Sequence, residues 1–289
     1  MNPTFKRFLD RAKVVINKWT VQTKSVRTHT LSDGRLVEEP FSYTPLIIAI
    51  LYVLSAFSWN VTRINLYNLF TRFSSFFDIL WRMREPRWSY FDRAIGPLID
   101  TVQMSFIGSL VGALLALPVA FMAASNINKN KTSITIIRFL LSLLRTLPVL
   151  VYAAILALAF GFGVFPGAIA IMIFTFGILS KMLYENIETI DLSAYVAIEA
   201  TGASKPKAFV TAIIPQILPS YLSLSLYSFE INIRFAAILG YVGAGGIGLL
   251  FDDRMAWRRY EDVGVLLIML FVVVFAIEST SRYLRRRLV

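Results

Sequence analysis

Glu230 and Arg234 stand four residues apart, in the Glu-before-Arg order that favours pairing on one helical face. Both fall inside a long apolar run, where an unpaired charge costs roughly 2.5–3.5 kcal/mol on insertion scales. The pair therefore reads either as an ion pair closing a helix bundle or as part of a solute pathway or its gate. Arg138 and Arg145 lie on another apolar run. Arg138 can reach a membrane surface by snorkelling. Arg145 lies roughly 10 Å deeper at about 1.5 Å per residue. It sits just before Pro148 and either anchors a helix kink or offers positive charge to an anion.

Catalytic chemistry has little material here. The single histidine, His29, lies in a polar stretch, so no Ser-His-Asp set can form around a buried base. Without cysteine there is no disulfide, thiolate nucleophile or cysteine metal site. No HExxH run occurs, and Asp252, Asp253, Glu261 and Asp262 read as a solvated external patch rather than a metal site. No GxxxxGK[ST] loop is present, so no cofactor is expected, and a pump would draw its energy from another polypeptide or an ion gradient. The run VGAGGIG, Val242 to Gly248, lacks the preceding strand that a dinucleotide site requires. Gly243, Gly245, Gly246 and Gly248 instead let the backbone turn or approach closely beside the end of a span. At membrane depth such backbone is tolerated when buried in protein or lining a cavity. With Arg145, Glu230 and Arg234, these glycines are the candidates for the pathway or its gate.

The elements that must position these groups are membrane helices. Of 289 residues, 56% are hydrophobic and 16% charged, where soluble domains carry about 25% charged residues. Mean hydropathy is +0.64. So much apolar surface defines an all-α integral membrane protein. Net charge is +11, which points to cytoplasmic loops and anionic headgroups of membrane lipids rather than to nucleic acid. Six transmembrane helices are expected, the first beginning at 46–59 and the others at 99–124, 134–160, 167–184, 214–239 and 263–281. Pro118 predicts a kink near the end of the second.

Residues 1–40 form a basic tail, in which Phe5, Phe8, Leu9, Val14 and Ile16 allow a surface helix. Its first apolar run starts too late for a cleavable signal peptide. Residues 41–96 hold the first span and an external amphipathic segment, where Leu66, Leu69, Phe70, Phe73, Phe77 and Leu80 recur at helical spacing among arginines. Residues 97–283 form the transport core, and 284–289 a basic C-terminus. The positive-inside rule places both termini, Lys129/Lys131 and Lys205/Lys207 in the cytoplasm.

Between the fourth and fifth spans lies the polar stretch VAIEATGASKPKAFVTAIIP, residues 196–215. Its composition predicts a helix, a stop at Gly202 in the left-handed conformation, and a new helix started by Pro206. Ala197, Ala200, Gly202, Ala203 and Pro215 stand at the spacing of the cytoplasmic loop signature of binding-protein-dependent ABC importer permeases. The signature's leading Glu falls at Val196, and Glu199 stands three positions later. The apolar pair before the proline is Ala212 and Ile214.

The strings TVQMSFIGSLVGALLALPVAFMAASN (101–126), RTLPVLVYAAILALAFGFG (145–163) and SLYSFEINIRFAAILGYVGAGGIG (225–248) resemble the permease subunit of phosphonate ABC importers. Val149 and Asp100 depart from that pattern, each standing where the family commonly has Glu. The resemblance implies a type I importer permease fold in a prokaryotic cell membrane, with no enzymatic activity in this chain. It implies a second permease copy, cytoplasmic ATPase subunits and an extracytoplasmic binding protein. The solute would be a phosphonate or a related phosphorus oxyanion such as phosphite or phosphate. ATPase closure would act on Ala197, Glu199, Ala200, Gly202, Ala203 and Pro215. Type I permeases for other solutes carry the same loop. An ion-coupled carrier would often show inverted repeats, and none stands out.

Overall fold

The computed structural model describes residues 28–30, 36–38, 43–62 and 66–288. The chain divides into two units, Met1–Thr71 and Arg72–Val289. In the first, β1 (Thr28–Thr30) pairs antiparallel with β2 (Leu36–Glu38), Thr28 opposite Glu38. This hairpin lies in the expected basic tail. The surface helix expected at Phe5 to Ile16 lies outside the described residues. Helix α1 (Thr44–Val61) opens on a proline and is apolar along its length, and α2 (Leu66–Thr71) follows.

The second unit starts with α3 (Phe73–Met83), whose phenylalanines Phe73, Phe76 and Phe77 are exposed. A 3₁₀ turn, Trp88–Tyr90, leads into α4 (Phe91–Ala123). Then come α5 (Lys131–Thr146), α6 (Val149–Phe160), α7 (Val164–Glu188) and α8 (Ser193–Ala200). Helix α9 (Lys205–Leu239) is followed by a 3₁₀ turn, Gly240–Val242, then α10 (Ile247–Ala256) and α11 (Tyr260–Leu288).

Among the described residues, α4, α7, α9 and α11 are long and apolar enough to cross a membrane, and α5 with α6 makes a fifth span if the bent pair counts as one. Thr44–Trp59 is a shorter apolar helix and the remaining candidate for a sixth. Several expected boundaries change. The expected third span, 134–160, is two helices meeting at 83°. Pro148 has no N–H to continue α5, and its ring keeps Leu147 extended (ψ 132°). The expected fifth span, 214–239, begins at Lys205, so half of the polar stretch is the first turns of α9. The sixth, expected at 263–281, runs to Leu288 and carries the terminal arginines as helix.

Helices in lipid gain little from hydrophobic burial and rely on close packing of small residues. Gly108, Gly112, Ala116 and Ala120 repeat every fourth position along α4, and all four are buried. A methyl on Gly108 would stand 2.7 Å from the Ala168 carbonyl oxygen, and one on Gly112 2.7 Å from that of Met172. This stripe sets α4 directly against the backbone of α7. Leu141, Leu179, Leu183, Ile187, Ile213 and Ile217 complete the apolar cluster at the α4 C-terminal end.

Candidate functional site

The polar stretch folds into a helical knuckle. Asp191 accepts hydrogen bonds from the Ser193 N–H (2.8 Å) and hydroxyl (2.7 Å). Those bonds hold its carboxyl below the usual carboxylate range. Leu192 and Tyr195 pack on the apolar cluster beneath, anchoring the inner face of α8. Gly202 ends the turn at φ +89°, and its N–H donates to the Glu199 carbonyl at 3.0 Å. Ser204 is extended, and α9 restarts with proline in its first turn. Ala197, Ala200 and Gly202 are exposed, while Glu199 and Ala203 are half-buried. Pro215, expected to belong to the same surface, sits ten residues inside α9, roughly 15 Å along the axis at 1.5 Å per residue.

Glu230 and Arg234 do pair, at 3.2 Å. Two partners were not apparent from the sequence. Arg285 reaches the other Glu230 oxygen at 2.7 Å, and Glu278 lies 3.1 Å from Arg234. Glu230 is 7% exposed. The group therefore ties α9 to α11, and the terminal arginine cluster contributes to it. Arg138 donates to the Ala123 carbonyl at 2.8 and 3.0 Å, pairs with Glu188 and lies 4.5 Å over the Tyr184 ring. It thereby caps the C-terminus of α4 rather than snorkelling freely. Arg145 is half-buried, and its Nε donates to the Leu141 carbonyl of its own helix at 3.1 Å.

The glycine-rich run is a packing knot. Gly245, Gly246 and Gly248 are buried and Gly243 half-buried. The Gly163 N–H donates to the Gly243 carbonyl at 3.0 Å, and the Thr101 hydroxyl accepts from the Ile247 N–H at 2.8 Å. Gly245 has φ +78°, and a methyl there would lie 2.7 Å from the Val164 nitrogen. Gly245→Ala is therefore expected to destabilise the protein by about 2–4 kcal/mol, combining the left-handed penalty with overpacking. A shift in thermal unfolding of the purified protein measures it, and an unshifted transition would remove the knot from the account.

A buried amide also escaped the sequence reading. Asn232 is 1% exposed, and its side-chain nitrogen donates to the hydroxyls of Ser109 (2.7 Å) and Thr175 (2.6 Å). It thus bridges α9, α4 and α7. One Asn in an apolar run was the available signal. Asp262 corrects the solvated-patch expectation. It is fully buried, 3.4 Å from Arg87 and 3.8 Å from Arg254. Arg254 donates to the Tyr90 hydroxyl at 3.1 Å and lies 4.9 Å over its ring. The patch failed as a reading because Arg87 comes from distant sequence and Arg254, eight residues before Asp262, is turned back onto it by the α10–α11 connection. No cluster of three or more potential metal ligands occurs among the described residues.

A bundle of long apolar helices, joined by buried polar bridges and ending in an exposed knuckle, defines a multi-pass helical membrane protein. The chain belongs to the family of binding-protein-dependent transport system inner membrane components, which matches residues 116–289. It is similar to the phosphite transport system permease protein PtxC of Stutzerimonas stutzeri, 31% identical over 79% of this chain and 83% of that one. It is also similar to the phosphate-import permease protein PhnE of Mycolicibacterium smegmatis, 32% identical over 66% of this chain and 36% of that one. A solved amino acid ABC transporter has the same fold, with TM-score 0.58 and 21% identity over 69% of this chain and 95% of that chain. The chain is thus an ABC importer permease with the type I fold, an inner membrane transport subunit.

Proposed function

We propose that this chain is the permease of an ATP-driven importer for phosphite, a phosphonate or phosphate. The observation that carries the reading is the exposed α8–Gly202–α9 knuckle on a chain of this family. Its relatives include permeases named for phosphite and phosphate. The knuckle lies at the start of a 35-residue helix whose far end carries the glycine knot. That separation is about 50 Å at 1.5 Å per residue, enough to put the two features on opposite membrane faces.

In this reading the knuckle and both termini face the cytoplasm. Ala197, Glu199, Ala200, Gly202 and Ala203 seat in a separate ATPase, with Pro215 ten residues along α9 behind them. Two permease copies enclose the pathway, and an extracytoplasmic binding protein delivers the solute. Gly243, Gly245, Gly246 and Gly248 hold the outer ends of α4, α7 and α9 together. Glu230 and Arg234 fix α9 on α11 where it borders the pathway.

The test is uptake of labelled phosphite, methylphosphonate and phosphate into vesicles holding the permease, its ATPase and its binding protein. Import of at least one of them, dependent on internal ATP and on both partners, is expected. Import by the permease alone, or no import of any of the three, would refute the proposal.

A further inference from the structure

Arg145 is set apart from the other interior arginines. Arg87 and Arg254 are paired with Asp262, Arg138 with Glu188, Arg234 with Glu230 and Glu278, and Arg285 with Glu230. Among the described residues no carboxylate oxygen lies within the 4.0 Å of an ion pair from Arg145, and its one hydrogen bond is to the Leu141 carbonyl. An arginine within a membrane span pairs or faces water, because leaving it in lipid is costly.

Its depth can be read from its neighbours. Arg138 meets Glu188 at the end of α7. Arg145 packs its stem over Gly177, where a methyl would stand 3.3 Å from the Arg145 Cγ. Gly177 stands eleven residues before Glu188 along α7, about 16 Å at 1.5 Å per residue. Along α5 itself Arg145 stands seven residues beyond Arg138, about 10 Å, so it lies well inside a hydrocarbon core about 30 Å thick. It stands two residues before the Leu147–Pro148 break, where the chain turns by 83°.

The surface around it is unusually polar for a span. Ser142, one turn before Arg145 on the same face of α5, is exposed. One turn beyond Gly177 on α7, Lys181 is 44% exposed and pairs with Glu185 at 3.5 Å. A strip carrying Arg145, Lys181 and Glu185 does not suit lipid tails, and it suits a water-filled path between two copies.

We infer that Arg145 binds the transported anion within the membrane, receiving a tetrahedral phosphorus oxyanion through charge-assisted hydrogen bonds. The inference rests on the importer reading above and adds a binding residue to it. A guanidinium has several donors in a planar fork that matches two oxygens of such an anion. A carboxylate partner would neutralise it, and the structure withholds one. In a twofold assembly the second copy brings its own Arg145 to the same path.

The chain has no native cysteine, so Arg145→Cys places a single thiol in each permease copy, and the unaltered transporter treated with the same reagents controls for thiols on its partners. Uptake of labelled phosphite should fall by about tenfold or more, the loss of a hydrogen bond to a charged group, while Arg145→Lys keeps most of it. Aminoethyl methanethiosulfonate, which restores a positive charge, should recover uptake, and the sulfonatoethyl reagent should not. Phosphite with binding protein and ATP should slow the thiol reaction, a protection that a purely helix-stabilising arginine would not give. Normal uptake by Arg145→Cys, equal recovery with both reagents, or no phosphite protection would each overturn the inference while leaving the importer reading intact. Failure of the unaltered transporter to import any of the three anions would bring down both.

Discussion

Gly202→Trp is expected to leave the permease in the membrane at normal level while uptake per ATP hydrolysed falls about tenfold or more, within the range of typical coupling between two sites. Two separate physical effects meet at this residue. At φ +89° an L side chain costs about 1–2 kcal/mol. Yet a methyl built at Gly202 meets nothing within 4 Å. The chain leaves room for a methyl there and Gly202 is exposed, so a bulky side chain projects from the face a docking partner would use. Gly202→Asn separates the two effects, because Asn tolerates the left-handed conformation with little bulk. It should couple nearly as well as Gly, with Gly202→Ala slightly worse from backbone cost. Parallel assays of ATP hydrolysis and uptake on reconstituted complexes measure all three. A Trp variant with an unchanged ratio of solute to ATP would remove Gly202 from the docking surface.

Glu230→Ala should lower unfolding stability by about 3 kcal/mol, the lower end of the cost of breaking a buried ion pair. The estimate stays at that end because the Arg234 side chain is 48% exposed and keeps Glu278. The loss falls mainly on Arg285, whose Nε already has no hydrogen-bond partner. It stays near the Tyr227 ring at 5.7 Å, which offsets only part of the loss. Arg285→Met should destabilise by a similar amount. The double variant Glu230→Leu with Arg285→Met should recover most of the loss, since an apolar pair can replace a buried ionic one at little cost. Thermal unfolding of the wild type, Glu230→Leu, Arg285→Met and the double variant in one detergent gives the cycle, with Glu230→Ala measured beside it. Additive losses in the double variant would mean that the two residues act independently.

What could be read from the sequence was local. Gly202 and Pro206 were legible because a left-handed stop and a first-turn proline are properties of single residues. Glu230 and Arg234 were legible because one helical turn joins them. Glu278 and Arg285 were not, since 44 to 55 residues separate them from the groups they contact. Arg285 also looked like one more cation in a basic end. Asp262 misled for the opposite reason, since acidic neighbours suggest solvent while the burial depends on Arg87, 175 residues away, and on the turn that brings Arg254 back. The 83° break was hidden inside an unbroken apolar run, because hydropathy does not register direction. Pro148 marked the place but not the angle. The small-residue stripe of α4 was present at every fourth position from Gly108 to Ala120, and its meaning depended on finding the α7 backbone opposite.

The Asn232 amide grips hydroxyls on two other helices at once, and slippage of any one of the three would strand a polar group in a dry interior. Helices α4, α7 and the second half of α9 are thereby tied together at one point inside the bundle. Pro215 and Pro219 interrupt the hydrogen-bond ladder of α9 between the knuckle and that tie, so bending is expected there as well as at the 83° joint of α5 and α6.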